Sequence, residues 1–489
     1  MMGADCLRRP VFNVMRFVAV SRTGTSKSRS IEAGSGQEER EELEEIEKRG
    51  PLEEDEDEEL ALLEEDEDEE LVLVPVPGRG AVADFSLGGW GCNAEFGGPF
   101  SMWATKNTPN ILPNDSSKDS LKHLEAETNC WTWWHSKSMW RSYKPRISTT
   151  MGHDDVIAIL LALHSPEVAL LGVSTVHGNA SAHNTAHNAA RCLEAFGAPA
   201  HVRVHPGATK PLLKPAKHDP EIHGADGLGG VLGLPAADSP SVQARFAVHP
   251  ATHEPIRALD GIASAVRSAL GRSEKVTIVS CGPLTNIALW VSVYPELIPG
   301  VEAFVFMGGG VGLGNRSAVA EYNILCDPEA AQIVLDVPVR KVMVPINVTH
   351  TAIATPAVLT RLLPPAAAKS GVRHTLATLI GFFAGAYDST FGFSAGPPLH
   401  DALTIAYVAR PELFALKRFR VDVELGGKHT SGETVVDVWD YGQCDESWGV
   451  GGKNCFVAQS VDVDAFFEMF FECVERCETA SARGIELPH

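Results

Sequence analysis

The chain has 489 residues, 44% of them hydrophobic and 21% charged, a globular composition with room for one large α/β domain and additional segments. Its formal charge of −22 is local: residues 32–70 hold 22 of the 63 acidic residues and only three of the 41 basic ones. The rest is nearly neutral, which argues against a nucleic-acid partner, and no apolar run reaches the ~18–20 residues that span a bilayer, so no membrane partner is expected.

Residues 1–30 are basic (Arg8, Arg9, Arg16, Arg22, Lys27, Arg29) and nearly acid-free. They read as a disordered tail, with a mitochondrial presequence as the alternative. Residues 31–74 contain L-E-E-D-E-D-E-E-L twice, from Leu52 and from Leu63. Charge this dense repels itself and predicts a solvated arm. Residues 75–145 are rich in Gly, Pro and Trp, with Trp131, Trp133, Trp134 and Trp140 in no regular period, and predict an irregular segment. A folded domain is expected over 146–489.

In that domain apolar runs alternate with helical patterns. Strands are expected at Val168–Val176, His201–His205, Val276–Ser280, Glu302–Met307 and Lys341–Ile346. Helices are expected at Asp154–His164, Ser181–Phe196, Leu284–Ser292, Asp327–Leu335, Thr375–Tyr387 and Val461–Cys477. Strands apolar on both faces and separated by helices predict an open, mainly parallel α/β sheet covered on both sides. The ten cysteines are scattered without a C-x-x-C pair, which suits reduced thiols and a cytoplasmic setting. Cys473 and Cys477, one helical turn apart, are expected to pack rather than bind metal.

Ligands of open parallel sheets bind beyond the carboxyl ends of the strands, and the polar clusters fall there. Val168–Val176 runs into His177-Gly178-Asn179, and Val276–Ser280 into Cys281-Gly282-Pro283-Leu284-Thr285-Asn286. Glu302–Met307 leads through glycines to Asn315, Glu321 and Asn323, and Lys341–Ile346 ends at Asn347, Thr349 and His350. Gly152-His153-Asp154-Asp155 opens a helix, where its carboxylates serve either as a cap or as ligands. His400-Asp401 opens another. Carboxylate and carbonyl oxygens suit a hard cation. A cation on a sugar diol, with a carboxylate to activate water and a histidine to help the leaving group, is equipment for cleaving a glycosidic bond.

These residues resemble the inosine–uridine-preferring nucleoside hydrolase family over roughly 146–489. The strings that carry the resemblance are G-H-D-D at Gly152–Asp155, V-H-G-N at Val176–Asn179, H-G-A-D-G-L-G-G at His223–Gly230, G-P-L-T-N at Gly282–Asn286, N-R-S-A-V-A-E-Y-N at Asn315–Asn323 and H-D-A at His400–Ala402. The resemblance implies hydrolysis of ribonucleosides to ribose and free base with a calcium ion on the ribose hydroxyls, by a homodimer or homotetramer. It implies Asp155, Asp401 and the Cys281 main-chain carbonyl as metal ligands. Asp154, Asn179, Asn315, Glu321 and Asn323 would bind ribose, His223 would lie near the base, and His400 would help the base leave.

One stretch departs from the family. Its D-x-D-P-G-x-D-D motif is here Ser148-Thr149-Thr150-Met151-Gly152-His153-Asp154-Asp155, so Thr150 stands where a metal-binding general base is expected. A hydroxyl lacks basicity at neutral pH, and loss of a base costs on the order of 10²–10⁴ in rate. The strand before it, Tyr143-Lys144-Pro145-Arg146-Ile147, carries a proline and two cations and reads as damaged. Two explanations compete: a catalytically silent nucleoside-binding homologue, or residues 1–150 partly translated from unrelated sequence. The intact pattern from Gly152 onward favours the second, and the transcript sequence tests it. Gln443–Asn454 reads as a Gly-rich loop insertion away from the site. A phosphohydrolase built on His400-Asp401 is disfavoured by the strand pattern.

Overall fold

The computed structural model describes residues 144–364 and 371–483, together with two short strands, Arg16–Val18 and Val74–Val76, that pair antiparallel. The expectations for 1–30, 31–74 and 75–145 otherwise lie outside the described residues.

The domain is built on an eight-stranded sheet. In chain order its strands are β1 (Pro145–Thr149), β2 (Val173–Thr175), β3 (Val204–Pro206), β4 (Val276–Cys281), β5 (Val301–Met307), β6 (Lys341–Val344), β7 (Phe414–Phe419) and, after a separate antiparallel pair β8 (Val421–Val423) and β9 (Thr434–Val436), β10 (Cys455–Val461). The spatial order is β3-β2-β1-β4-β5-β6-β10-β7. All neighbours are parallel except β10 and β7. Alternate residues face opposite cores. Val279, Val305 and Val342 join one apolar cluster, and Ile278, Phe304 and Met343 the other. Helices α1 (His153–His164), α2 (Ala402–Ala409) and α3 (Val463–Arg483) cover the first face, and Ala258–Leu270, Thr285–Val293 and Pro328–Asp336 cover the second. Two-sided burial explains the continuous apolar runs of the central strands. None of the described helices is long and apolar enough to cross a membrane. Cys473 and Cys477 are buried in the core, as expected.

The chain leaves β1 for β2 on one side and later returns to β4 on the other. This reversal opens a crevice at the carboxyl ends of β1 and β4. The three strands end level, because Thr149 pairs with both Thr175 and Cys281.

The expectation of a damaged first strand is corrected. β1 forms, is central, and is wholly buried. Pro145 occupies its first position, where a missing N–H is tolerated. Lys144, just outside, pairs with Glu274. Arg146 is 2% exposed, and its guanidinium donates to Ser174 Oγ at 3.3 Å, while its Nε lacks a partner. The strand is held by its neighbours' ladders, with the cation carried as a cost.

Candidate active site

The turn from β1 into α1 supplies the first group of site residues. Asp155, in the helix's first turn, accepts from the backbone N–H of Gly152 at 2.6 Å and of Thr150 at 3.2 Å. Its carboxylate also accepts from the Thr149 hydroxyl and, at 3.3 Å, from the Asn179 amide. The Thr150 hydroxyl lies 3.5 Å from Asp155 Oδ2 and 3.4 Å from the Cys281 carbonyl oxygen. Its methyl group sits between Gly178 and Gly282: a Cβ at either glycine would come within 2.5 Å of it. The backbone reaches this arrangement through Met151, which is buried and left-handed at φ 48°, a conformation costing a non-glycine residue about 1 kcal/mol or more.

Asp401 closes the cluster from 246 positions downstream of Asp155. One carboxylate oxygen from each of Asp154, Asp155 and Asp401 lies within 4.8 Å of the others, all buried. Asp154 also accepts from the Asp401 backbone N–H at 3.3 Å. Burial first, and then the neighbouring carboxylates, push Asp154 up to about 7 and Asp401 well above the usual carboxylate range. Burial likewise raises Asp155, against its hydrogen bonds. No cationic side chain among the described residues offsets them.

Two members of the cluster, Asp154 and Asp401, line a cleft. Asn179, His223, Cys281, Asn315, Glu321, Asn323 and His400 line it with them. The residues named from the resemblance thus lie here, with Asp155 and Thr150 adjoining the lining, whereas His177, Asn286, Asn347 and His350 of the strand-end clusters do not line the cleft. Glu321 is fixed by three backbone donors, Gly309 at 2.9 Å, Asn323 at 2.8 Å and Ile324 at 3.1 Å, and burial raises it to about 7. His400 is held at both ring nitrogens, by Thr349 Oγ1 at 2.6 Å and by the Tyr387 hydroxyl at 2.7 Å. Burial holds its pKa well below the ordinary imidazole value, so it is a neutral ring. His223 also stays neutral through burial. Its Nδ1 is 3.3 Å from Nδ1 of His153, so one ring donates and the other accepts. Gly152 permits this approach: a Cβ there would stand 2.4 Å from the Asn179 amide and 2.5 Å from the His223 ring.

Sequence reasoning missed the cleft's Asp219, Arg316, Phe383, Tyr387 and Phe391. Arg316 lies inside a string that was read for its neighbours. The aromatics lie on one long helix, Val372–Phe391, whose expected bounds were shorter. Gln443–Asn454 is a turn-rich loop, and none of its residues lines the cleft.

Fold and site thus define a class: an α/β protein with a carboxylate-, amide- and imidazole-lined cleft at the switch point of a parallel sheet. The profile described as inosine-uridine preferring nucleoside hydrolase matches residues 147–468, and the chain belongs to that family. A probable ribonucleoside hydrolase of Dictyostelium discoideum is 36% identical over 337 residues, covering 67% of this chain and 92% of its own length. The pyrimidine-specific ribonucleoside hydrolase RihA of Salmonella paratyphi A is 38% identical over 323 residues, covering 66% and 94%. Among solved structures, a purine-preferring ribonucleoside hydrolase from Gardnerella vaginalis matches with TM-score 0.58 and 28% identity, covering 69% of this chain and all of that one. A plant nucleoside hydrolase matches with the same score and identity, covering 68% and 99%.

Proposed function

We propose that this chain binds ribonucleosides and hydrolyses their N-glycosidic bond, with a calcium ion gripping the ribose diol. The observation that supports this reading is the meeting of Asp154, Asp155 and Asp401 within 4.8 Å, beside the Cys281 carbonyl. Three buried carboxylates without a cationic partner among the described residues form a donor set that fits a hard divalent cation. Asp155, Asp401 and the Cys281 carbonyl oxygen would hold it. When bound, the ion supplies charge neutralisation and a fixed point for the sugar's vicinal hydroxyls.

The chain's own residues do the rest. Asp154, Asn179, Asn315, Glu321 and Asn323 offer acceptors and amide donors that orient the ribose. His223 stands over the base side of the cleft. His400, neutral and hydrogen-bonded to Tyr387 and Thr349, serves as a proton relay to the departing base. Thr150 occupies the position of the general base without its chemistry, so turnover is slow. That same residue favours a second reading, a silent homologue that binds nucleoside without cleaving it.

The test is calorimetric binding of inosine and uridine with and without calcium, paired with an assay of free ribose on wild type and Thr150→Asp. Calcium-dependent binding with ribose release that rises in the variant is expected. Binding without release in either protein establishes the silent reading. Absence of calcium-dependent binding in both proteins refutes the proposal.

A further inference from the structure

His223 is set in a long irregular excursion between β3 and the helix beginning at Ala258, with only the one-turn helices Pro220–His223 and Pro240–Gln243 inside it. Over residues 219–231 its near side is tied by neutral bonds. The Asn188 and Asn184 amides donate to the carbonyls of Asp226 at 2.8 Å and Ala225 at 3.3 Å. The Asp219 backbone N–H donates to the Asn179 carbonyl at 3.1 Å. On its far side the tether is ionic: the Arg316 guanidinium pairs with the Asp219 carboxylate, and both side chains are mostly buried. Arg316 also lies over the Phe391 ring at 5.2 Å and the Tyr322 ring at 5.8 Å. One side chain thus joins the His223 segment, the Asn315–Asn323 wall and the end of the Val372–Phe391 helix. Beyond His223 the chain turns through Gly224 at φ 74° and Gly227 at φ 89°, left-handed positions at which glycine absorbs a change of backbone direction.

We propose that Arg316 is a positioning residue: its pair with Asp219 latches the segment 219–231 across the cleft and so sets the placement of His223 against a bound nucleoside. The inference deepens the functional reading and rests on it for the nucleoside, whereas the latch itself is a property of the free protein. The pair is one charge-assisted hydrogen bond backed by two aromatic faces, in a partly dry setting where such bonds are strong. The planar guanidinium suits both roles, which an ammonium does not.

Hydrogen exchange of the free full-length protein tests the latch. Arg316→Met and Asp219→Asn are each expected to speed exchange across 219–231 by roughly tenfold or more, the worth of a hydrogen bond to a charged group. Peptides covering β4 and β5 should be unchanged, which certifies that the variants fold. The double variant should exchange no faster than the faster single one, because both changes remove the same contact. Unchanged exchange, or effects that add, overturns the proposal. Arg316→Lys, which keeps the charge and loses the fork, should fall between wild type and Arg316→Met. Calorimetry with inosine and uridine in calcium should show weaker binding by the single variants. Unaltered affinity overturns the positioning role, while a wild type that binds no nucleoside refutes the functional reading and leaves the exchange result to decide the latch.

Discussion

The cleft has two walls of different composition. One rises from β1 and its turn, Thr149 to Asp155. The other comprises Asn315–Asn323 and the His400-Asp401 corner. The second wall is supplied as such sites usually are: Glu321 is saturated by backbone donors and His400 is held at both nitrogens. The first wall has a hydroxyl, Thr150, where a carboxylate is expected, and a left-handed buried methionine, and the strand leading to it carries the buried Arg146 guanidinium three residues before its end. Yet both walls arrive at the same place. Sheet register delivers a backbone position regardless of the side chain on it, so geometry and chemistry are separable properties of this cleft.

Four measurements sharpen that separation or break it. The largest effect is expected at Thr150. Gly178 and Gly282 leave the room, so Thr150→Asp should raise ribose release by on the order of 10²–10⁴. No gain would mean that the first wall is displaced as well as depleted. On the second wall, Glu321 is raised from 4.5 to about 7 by burial. A carboxyl whose folded pKa lies above its unfolded value loses stability as pH rises between the two. That loss is at most about 3 kcal/mol, and Glu321→Gln should flatten the stability curve from pH 4.5 to 7, measured by urea unfolding. Calcium bound as proposed would join the two walls, since Asp155 belongs to one and Asp401 to the other. At a hundredfold excess over its dissociation constant it should stabilise the domain by about 2.7 kcal/mol. Thermal scans with calcium and with chelator should separate accordingly, and Asp401→Asn should shrink the gap. Last, Arg146→Leu should stabilise the domain by about 1 kcal/mol, because it removes a buried cation with no carboxylate partner. Burial already lowers that guanidinium to about 9, and a lower melting temperature in the variant would show that its bond to Ser174 outweighs desolvation.

Much of this was legible in the residues, for definable reasons. β4 and β5 sit within a residue of their expected bounds, and β6 within two, because strands buried on both faces announce themselves as unbroken apolar runs. Val168–Val176 looked like one strand but pairs only over Val173–Thr175. Of its earlier residues, Val168, Leu170 and Gly172 are buried in irregular chain just after a turn, with Val168 bonded back to Ser165, and burial alone does not distinguish a ladder from a packed loop. β1 was misjudged because propensity was read locally while its stability is supplied by β2 and β4. Thr150, Asp154, Asn179 and Cys281 met because they end or closely follow β1, β2 and β4, whereas His400 and Asp401 arrive at the start of a helix and His223 in a long loop. Asp219 and Arg316 follow no such rule: they are 97 positions apart, and neither stands in a pattern that points to the other.

The left-handed turn at Met151 limits how the first wall can be re-engineered. Proline's ring fixes φ near −65°, more than 100° from the φ of 48° at this position. The D-P-G form of the turn and the T-M-G form are therefore two distinct backbone routes between the same strand and the same helix. A designer moving from one to the other has no smooth ladder of single replacements: the proline is admissible only once the loop has changed course, so recombining whole segments 148–152 is the practical way to cross.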